Sequence, residues 1–295
     1  MKAAAFEFVR PNALNGVFAL LDEYRDEARI IAGGQTLLAT LNMRLSEPQL
    51  LIDIGALTEL RDITVAGDTL SIGALVTHAQ IEDSALVRRH APLLADVAPH
   101  VAHRAIRNLG TFGGSIAFAD PAAEWPTCLV ALRGRVVIGG IDGTRRVDAD
   151  EFFQDLYTTA LRPAEIVLAC EVPIAQEGFH HEFDELVRRH GDYAIVGAAV
   201  TGNTAASRTT NVRVVFLGCG NVPLRAKDVE SRIENTVLTM DAVNDIAATL
   251  NIDPGADLYH SEETKRHLAR VTLNRLLRKF VAAGSISSGA EGFHG

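Results

Sequence analysis

Two glycine pairs mark places where the backbone itself could do chemistry. "AGGQT" (32–36) and "TFGGS" (111–115) each carry Gly-Gly followed by a hydroxyl residue, and each precedes a predicted helix or helical turn. Backbone N–H groups at such a junction are unpaired and suit an anion, so two converging loops could hold a diphosphate. A glycine pair is also common in a plain tight turn. The residues alone leave the turn and the shared anion site equally open.

Asp120, Glu124 and Tyr193 are further candidates for ligand contacts. Asp120 precedes Pro121, a pattern typical of a helix N-cap followed by proline at the first helical position. Glu124, one turn later, either accepts hydrogen bonds from ribose hydroxyls or is simply an acid favoured near a helix start. Tyr193 opens a predicted strand, where it could stack on a planar ligand, although the residues by themselves favour a packing role.

Composition and charge argue against several classes of function. The 295 residues carry a formal net charge of -9, which argues against a nucleic-acid surface. No apolar stretch approaches the ~20 residues of a membrane span, so we expect a cytoplasmic protein without one. Three cysteines, far apart and without a C-x-x-C pair, are too few for an iron–sulfur cluster, and the ten histidines lack metal-ligand spacing. We expect no metal on this chain.

The elements that must position these residues are predicted to form three consecutive units, 1–55, 56–175 and 176–295. The first reads as a small α/β unit, the second as another, and the third as strands followed by helices. The predicted helices cover 12–26, 35–45, a segment near 85–97, 124–134, and finally 261–284. The predicted strands cover 6–11, 28–34, 49–55, 69–75, 165–173, 193–202 and 211–220, with a hairpin over 135–147.

Taken together, these residues resemble the FAD-binding medium subunit of the molybdenum hydroxylases, the family of xanthine dehydrogenase and aerobic carbon monoxide dehydrogenase. The resemblance covers essentially the whole chain, through motifs in family order such as "AGGQTLLATLNMRL", "LSIGALVTHAQI", "TFGGSIAFADPAAEWP" and "GDYAIVGAA". It implies an α+β protein with a two-subdomain FAD-binding fold of the vanillyl-alcohol oxidase and para-cresol methylhydroxylase type. A smaller C-terminal α+β domain, with a small antiparallel sheet and helices, would follow. Residues 1–55 and 56–175 would be the α/β FAD subdomains, and 176–295 the C-terminal flavoprotein domain.

The resemblance also implies a set of FAD-binding residues. FAD would lie extended between the two subdomains, with its adenosine portion near Asp120 and Glu124. Its isoalloxazine ring would lie near Leu168, with one face shielded by the segment of Asp192 and Tyr193. No residue is implied to act as an acid, base or nucleophile. The residues of the two diphosphate loops would be Ala32, Gly33, Gly34, Gln35, Thr36, Leu37, Thr111, Gly113, Gly114 and Ser115.

One segment departs from the family pattern. Many relatives carry a lysine before the D-Y-A triplet, where this chain has Asp184 and Glu185. A cation near the N1/O2 edge of the flavin would stabilise the reduced anion. Either Arg188 or Arg189 substitutes for that lysine here, or the flavin potential is lower.

The function implied by the resemblance is electron transfer. Substrate hydroxylation would occur at a molybdenum–pterin centre on a large subunit. Electrons would pass through two [2Fe–2S] clusters on a small subunit to FAD on this chain, and then to an external acceptor. The assembly would be a dimer of heterotrimers. Two alternatives stay open: a self-sufficient flavoenzyme of the same fold, either an oxidase or a reductase, and a flavin-free structural subunit.

Overall fold

The computed structural model describes residues 2–205 and 208–289, so the outer ends of the predicted first and third units lie outside it. The first five elements are β1 (Glu7–Val9), α1 (Leu14–Tyr24), β2 (Ala28–Ile31), α2 (Leu37–Asn42) and β3 (Leu50–Asp53). The three strands are parallel in the order β1-β3-β2. The apolar run of the central strand is buried, as expected for the middle of a parallel sheet.

The next segment builds an antiparallel sheet with short helices packed against it. Its helices are α3 (His78–Asp83), α4 (Ala85–His90), α5 (Pro92–Val97), α6 (Arg104–Arg107), α7 (Phe112–Phe118), α8 (Glu124–Ala131) and α9 (Ala149–Phe152). Its strands are β4 (Ile63–Ala66), β5 (Thr69–Gly73), β6 (Arg135–Gly140), β7 (Gly143–Asp148), β8 (Phe153–Asp155), β9 (Thr158–Thr159) and β10 (Ile166–Pro173). Five of these strands form one sheet in the order β4-β5-β10-β6-β7, in contrast to the parallel first sheet.

The helix predicted near 85–97 is interrupted in the structure. α4 ends at His90 and α5 begins at Pro92, with Ala91 in a non-helical conformation between them. Proline lacks the N–H that a continuous helix needs and disfavours helical geometry in the residue before it. The single predicted helix is therefore wrong, and two helices of six residues replace it.

The C-terminal part is an antiparallel sheet covered by helices. Its elements are β11 (Phe179–Leu186), β12 (Val196–Ala205), β13 (Arg208–Leu217), β14 (Leu224–Arg225), α10 (Lys227–Ile233), α11 (Met240–Ala248) and α12 (Glu262–Gly289). The strand order is β11-β12-β13-β14, and α12 packs on β11 and β12. The sequence analysis missed β11, because every residue of this strand is half-buried and no alternation between apolar and polar residues marks it.

The hydrophobic cores connect these parts of the chain. Leu75 and Ile166 from the middle segment pack in the core of the first sheet. Ala199 and Val215 from the C-terminal sheet pack in the core of the middle segment. None of the helices in the described ranges is both long and apolar enough to cross a membrane.

Candidate functional site

The first glycine loop connects β2 to α2 and lies against the chain that enters the second loop. A side chain at Gly33 would overlap the carbonyl group of Leu109, and its Cβ would lie 2.9 Å from the Cα of Gly110. Gly34 adopts a φ of +69°, in the left-handed region that favours glycine. The structure therefore brings the first predicted loop into direct backbone contact with the two residues that precede the second loop.

The first loop carries unpaired backbone donors. Over residues 2–205 and 208–289, nothing accepts a hydrogen bond from the N–H groups of Gly33, Gly34, Gln35 or Thr36. The Gln35 side chain donates to the Gly33 carbonyl at 2.9 Å and braces the loop. Successive free amides of this kind can bind an anion. The free amides predicted for this loop are present, and the anion that they would bind stays a prediction.

The second loop uses its amides differently. The N–H of Phe112 donates to the Val76 carbonyl at 2.9 Å, and the N–H of Gly113 donates to the Ala74 carbonyl at 3.0 Å. Thr111 caps α7, because its hydroxyl accepts a hydrogen bond from the N–H of Gly114 at 3.2 Å. Gly114 itself is exposed.

The prediction of free amides in the second loop is therefore wrong for Gly113 and Gly114. A side chain at Gly113 would overlap Ala74, so packing against the neighbouring segment explains this glycine. What the second loop offers a ligand is the bare surface of Gly114 and the half-buried Ser115.

Asp120 does not cap a helix. α7 ends at Phe118, its C-cap Ala119 has a φ of 54°, and α8 begins only at Glu124 with Ala123 as its N-cap. The carboxylate of Asp120 instead accepts a hydrogen bond from the N–H of Ala122 at 2.9 Å, within an irregular turn. The N-cap prediction is wrong because Pro121 lies in this turn, where its carbonyl accepts a hydrogen bond from the N–H of Gly218.

Glu124 lies in a buried acidic cluster that sequence reasoning missed. Its side chain begins α8, and the residue is only 7% exposed. Burial, and then the neighbouring Glu185, raise the pKa of Glu124 to about 7. The Glu185 side chain, 4% exposed, lies 3.2 Å from the Nδ1 atom of His100, and this hydrogen bond raises the pKa of His100. No sequence signal links these three residues, which come from distant segments.

Leu168 lies beside the second loop. It occupies a bulge in β10, and its carbonyl accepts a hydrogen bond at 2.9 Å from the N–H of Ala74, the residue that packs on Gly113. The side chain covers Gly139, where a Cβ would lie 2.6 Å from its Cδ1. Leu168 is half-buried, so part of it remains available to a ligand.

Asp192 and Tyr193 lie on a turn after β11. The neighbouring Gly191 packs on the ring of His103, which fixes this turn against the middle segment. Tyr193 is 65% exposed, so the packing role favoured by the residues alone is wrong. Partial burial raises the pKa of Tyr193, and the nearby Asp120 adds to this effect. Tyr193, Asp120 and Glu124 therefore share one neighbourhood.

Helix α7 connects the glycine loops with the group formed by Asp120, Glu124 and Tyr193. This helix of seven residues runs from the glycine loops toward Asp120, a rise of about 10 Å. Leu168 and the loops lie at its start, and Asp120 follows its end. A cavity of about 550 Å³ lies elsewhere, and none of the predicted site residues lines it.

The part of the chain that the structure describes offers few side chains that could together bind a metal ion. No group of three His, Cys, Asp or Glu side chains gathers there with metal-binding geometry. Cys128, Cys170 and Cys219 are each buried and unpaired with one another. Burial raises the pKa of the Cys219 thiol to about 12.

Comparison with protein families gives two matches. Residues 4–175 match the FAD binding domain in molybdopterin dehydrogenase. Residues 181–280 match the CO dehydrogenase flavoprotein C-terminal domain.

Individual proteins match over nearly their whole length. The chain is 35% identical to the 6-hydroxypseudooxynicotine dehydrogenase complex subunit alpha of Paenarthrobacter nicotinovorans, over 95% of each chain. It is 32% identical to the carbon monoxide dehydrogenase medium chain of Hydrogenophaga pseudoflava, covering 92% of this chain and 96% of that protein. Among solved structures, quinoline 2-oxidoreductase from Pseudomonas putida 86 superposes with a TM-score of 0.91 and 34% identity, covering 96% of this chain and 99% of the other.

Proposed function

Because this chain belongs to the FAD-binding medium subunits of the molybdenum hydroxylases, we propose that it carries electrons from partner-subunit [2Fe–2S] clusters through FAD to an external acceptor. The observation that supports this most strongly is the row of free amides from Gly33 to Thr36, in a loop that packs on the two residues preceding the second glycine loop. A dinucleotide diphosphate is the anion that such an extended pair of loops would suit.

The residues present fit FAD in several respects. The first loop would hold the diphosphate through its amides, with Ala32 and Leu37 at its ends. The second loop would let the cofactor approach closely over Gly114, because no side chain occupies that exposed surface. Asp120 and Glu124 would accept hydrogen bonds from the adenosine portion.

At the other end of the cofactor, Leu168 would pack against the isoalloxazine ring and Tyr193 would exclude water from one of its faces. FAD, when bound, supplies redox chemistry in one-electron and two-electron steps. The chain's own residues bind and orient the cofactor, and we assign none of them a catalytic proton transfer.

We propose a large molybdenum–pterin subunit and a small [2Fe–2S] subunit as partners, assembled as a dimer of heterotrimers. The three cysteines of this chain, each buried and apart, cannot supply the four thiolates that a cluster needs. The relatives' names, a medium chain and a subunit of a complex, also support a multi-subunit assembly.

The experiment is flavin analysis of the purified complex. We expect a yellow complex that releases stoichiometric FAD on acid treatment and whose flavin is reduced anaerobically by the substrate of the large subunit. A folded but colourless complex would favour a structural subunit and contradict the proposal. Turnover by the isolated chain with FAD alone would instead indicate a self-sufficient flavoenzyme.

A further inference from the structure

His78 is held beside the glycine loops by the backbone on both sides. It is the first residue of α3, whose N-cap Thr77 forms a reciprocal capping box with Gln80. The N–H of His78 donates to the Gly110 carbonyl at 3.0 Å, and Thr77 pairs with Thr111 in an antiparallel bridge. The ring position is therefore set by the same segment that begins the second loop.

The tautomer of His78 follows from its partner. The indole Nε1 of Trp125 lies 3.0 Å from the Nδ1 atom of His78, and both residues are buried. An indole nitrogen only donates, so Nδ1 must accept and the ring proton must lie on Nε2. Burial, with a smaller effect of Arg107, lowers the pKa of His78 to about 4, so the ring is neutral near pH 7.

The Nε2–H group has no partner within the part of the chain that the structure describes. His78 is 6% exposed, and its Nε2 atom is not completely enclosed by the protein. A Cβ at Gly110 would lie 2.7 Å from Nε2, so this edge of the ring faces Gly110. Gly110 in turn touches Gly33, the first residue of the loop with free amides.

We propose that the Nε2–H of His78 donates a hydrogen bond to a diphosphate oxygen of bound FAD, where Gly33 meets Gly110. This inference rests on the proposed function. A diphosphate oxygen is an acceptor without a proton of its own, and a neutral donor held in one tautomer matches it. A hydrogen bond to a charged oxygen is stronger than one between neutral groups, so an anionic acceptor would be favoured at this position. His78 is a binding residue here, with no proton to transfer.

Two substitutions distinguish the role of Nδ1 from that of Nε2. H78N keeps an acceptor near the Nδ1 position for Trp125 but is too short to place a donor at Nε2. H78Q places an amide N–H near the Nε2 position. We would remove FAD from the full-length chain, titrate FAD back by fluorescence quenching, and record thermal unfolding of each apo variant.

We expect the FAD Kd of H78N to rise about 10- to 100-fold, the range for losing a hydrogen bond to a charged group. The FAD Kd of H78Q should stay close to that of the wild type. The control H267N, which replaces an exposed histidine of α12 by asparagine, should also leave the FAD Kd unchanged. The inhibition constant of ADP, which carries the diphosphate without the flavin, should rise in H78N by about the same factor as the FAD Kd and stay near the wild-type value in H78Q. A raised FAD Kd in H78N with an unchanged ADP inhibition constant would overturn the diphosphate assignment.

A spectroscopic measurement covers the case in which H78N does not fold. In ¹⁵N-histidine-labelled wild-type chain, the Nε2 resonance of His78, identified by its loss in H78Q, should shift when FAD is added. An unchanged resonance, or a folded H78N that binds FAD as tightly as the wild type, contradicts the proposal. If the wild type binds no FAD at all, the proposed function fails instead, so the two failures are distinguishable.

Discussion

At the scale of single residues, glycine occupies the positions of the two loops for different physical reasons. Gly33 and Gly113 are glycines because a side chain at either position would overlap neighbouring backbone or Ala74. Gly34 is suited to its positive φ. Gly114 alone is exposed, and its nearest contact is the hydroxyl of Thr111 at 2.8 Å from an added Cβ. Substitutions at Gly33 or Gly113 therefore test the fold, whereas Gly114 tests the ligand.

The first prediction concerns Gly114. Gly114→Val should abolish FAD retention, because the side chain would extend into the proposed path of the cofactor, and it should cost about 1 kcal/mol of stability by displacing the Thr111 hydroxyl that caps α7. Ala117→Val, at another exposed position of the same helix, is the control and should keep its flavin. Normal flavin occupancy in the Gly114 variant would show that the second loop is not at the cofactor.

The second prediction concerns Tyr193, whose exposed ring makes it a candidate to cover the flavin. Tyr193→Ala should bind FAD but react faster with oxygen, because water and oxygen gain access to the ring face. Tyr193→Phe keeps the ring and should behave like the wild type. Stopped-flow spectroscopy of the reduced complexes measures the rate of flavin reoxidation in both variants and the wild type. Equal rates in all three proteins would show that Tyr193 does not cover the flavin.

At the scale of elements, α8 and β11 meet through acidic side chains. Glu124 begins the helix, and Glu185 comes from the strand and contacts His100. Arg188, considered as a substitute for the family lysine, lies over the ring of Tyr259 at 4.4 Å. The junction between α8 and β11 is therefore acidic, which supports the lower-potential alternative among the sequence hypotheses.

The third prediction follows from the raised pKa of Glu124. A carboxyl group whose pKa is about 7 in the folded chain and 4.5 in the unfolded chain binds more protons when folded, so stability falls as pH rises between these values. His100, with its raised pKa, also loses stabilisation as pH rises. E124Q should therefore match the wild type near pH 5 and unfold at a higher temperature near pH 8.

The expected gain from E124Q at pH 8 is on the order of 3 kcal/mol at most. Thermal unfolding of the apo chain from pH 5 to pH 8 measures it. E151Q, at an exposed position in α9, should leave the pH dependence unchanged. The same pH slope in E124Q and the wild type would contradict the raised pKa.

At the scale of the whole molecule, the C-terminal sheet is tied to the middle segment by core packing and by one buried arginine. Ala199 and Val215 share the core of the middle segment. Arg213 of β13 donates to the carboxylate of Asp150 at 2.6 Å and to the Val130 carbonyl at 3.2 Å. This contact holds α8, and with it Glu124, against the C-terminal sheet.

The fourth prediction tests this connection. Arg213→Ala should lower the stability of the chain by about 1–3 kcal/mol, because it removes a hydrogen bond to a charged carboxylate and a second, buried one to a backbone carbonyl. Arg232→Ala, which removes an exposed ion pair with Asp245, should cost less than about 1 kcal/mol. Denaturant unfolding compares the two variants, and equal losses would show that Arg213 does not connect the two parts.

The sequence by itself determined the class of fold, many of the strands, the helices α1, α2, α8 and α12, and the two glycine loops, because these depend on local patterns of apolar and turn-forming residues. It also carried the family motifs. Only the tertiary structure decided which amides of the loops remain free, since the partners of Phe112 and Gly113 come from residues 74–76. It also decided the tautomer of His78 and the burial of Glu124, because Trp125 and Glu185 are remote in sequence and reach these side chains only through packing.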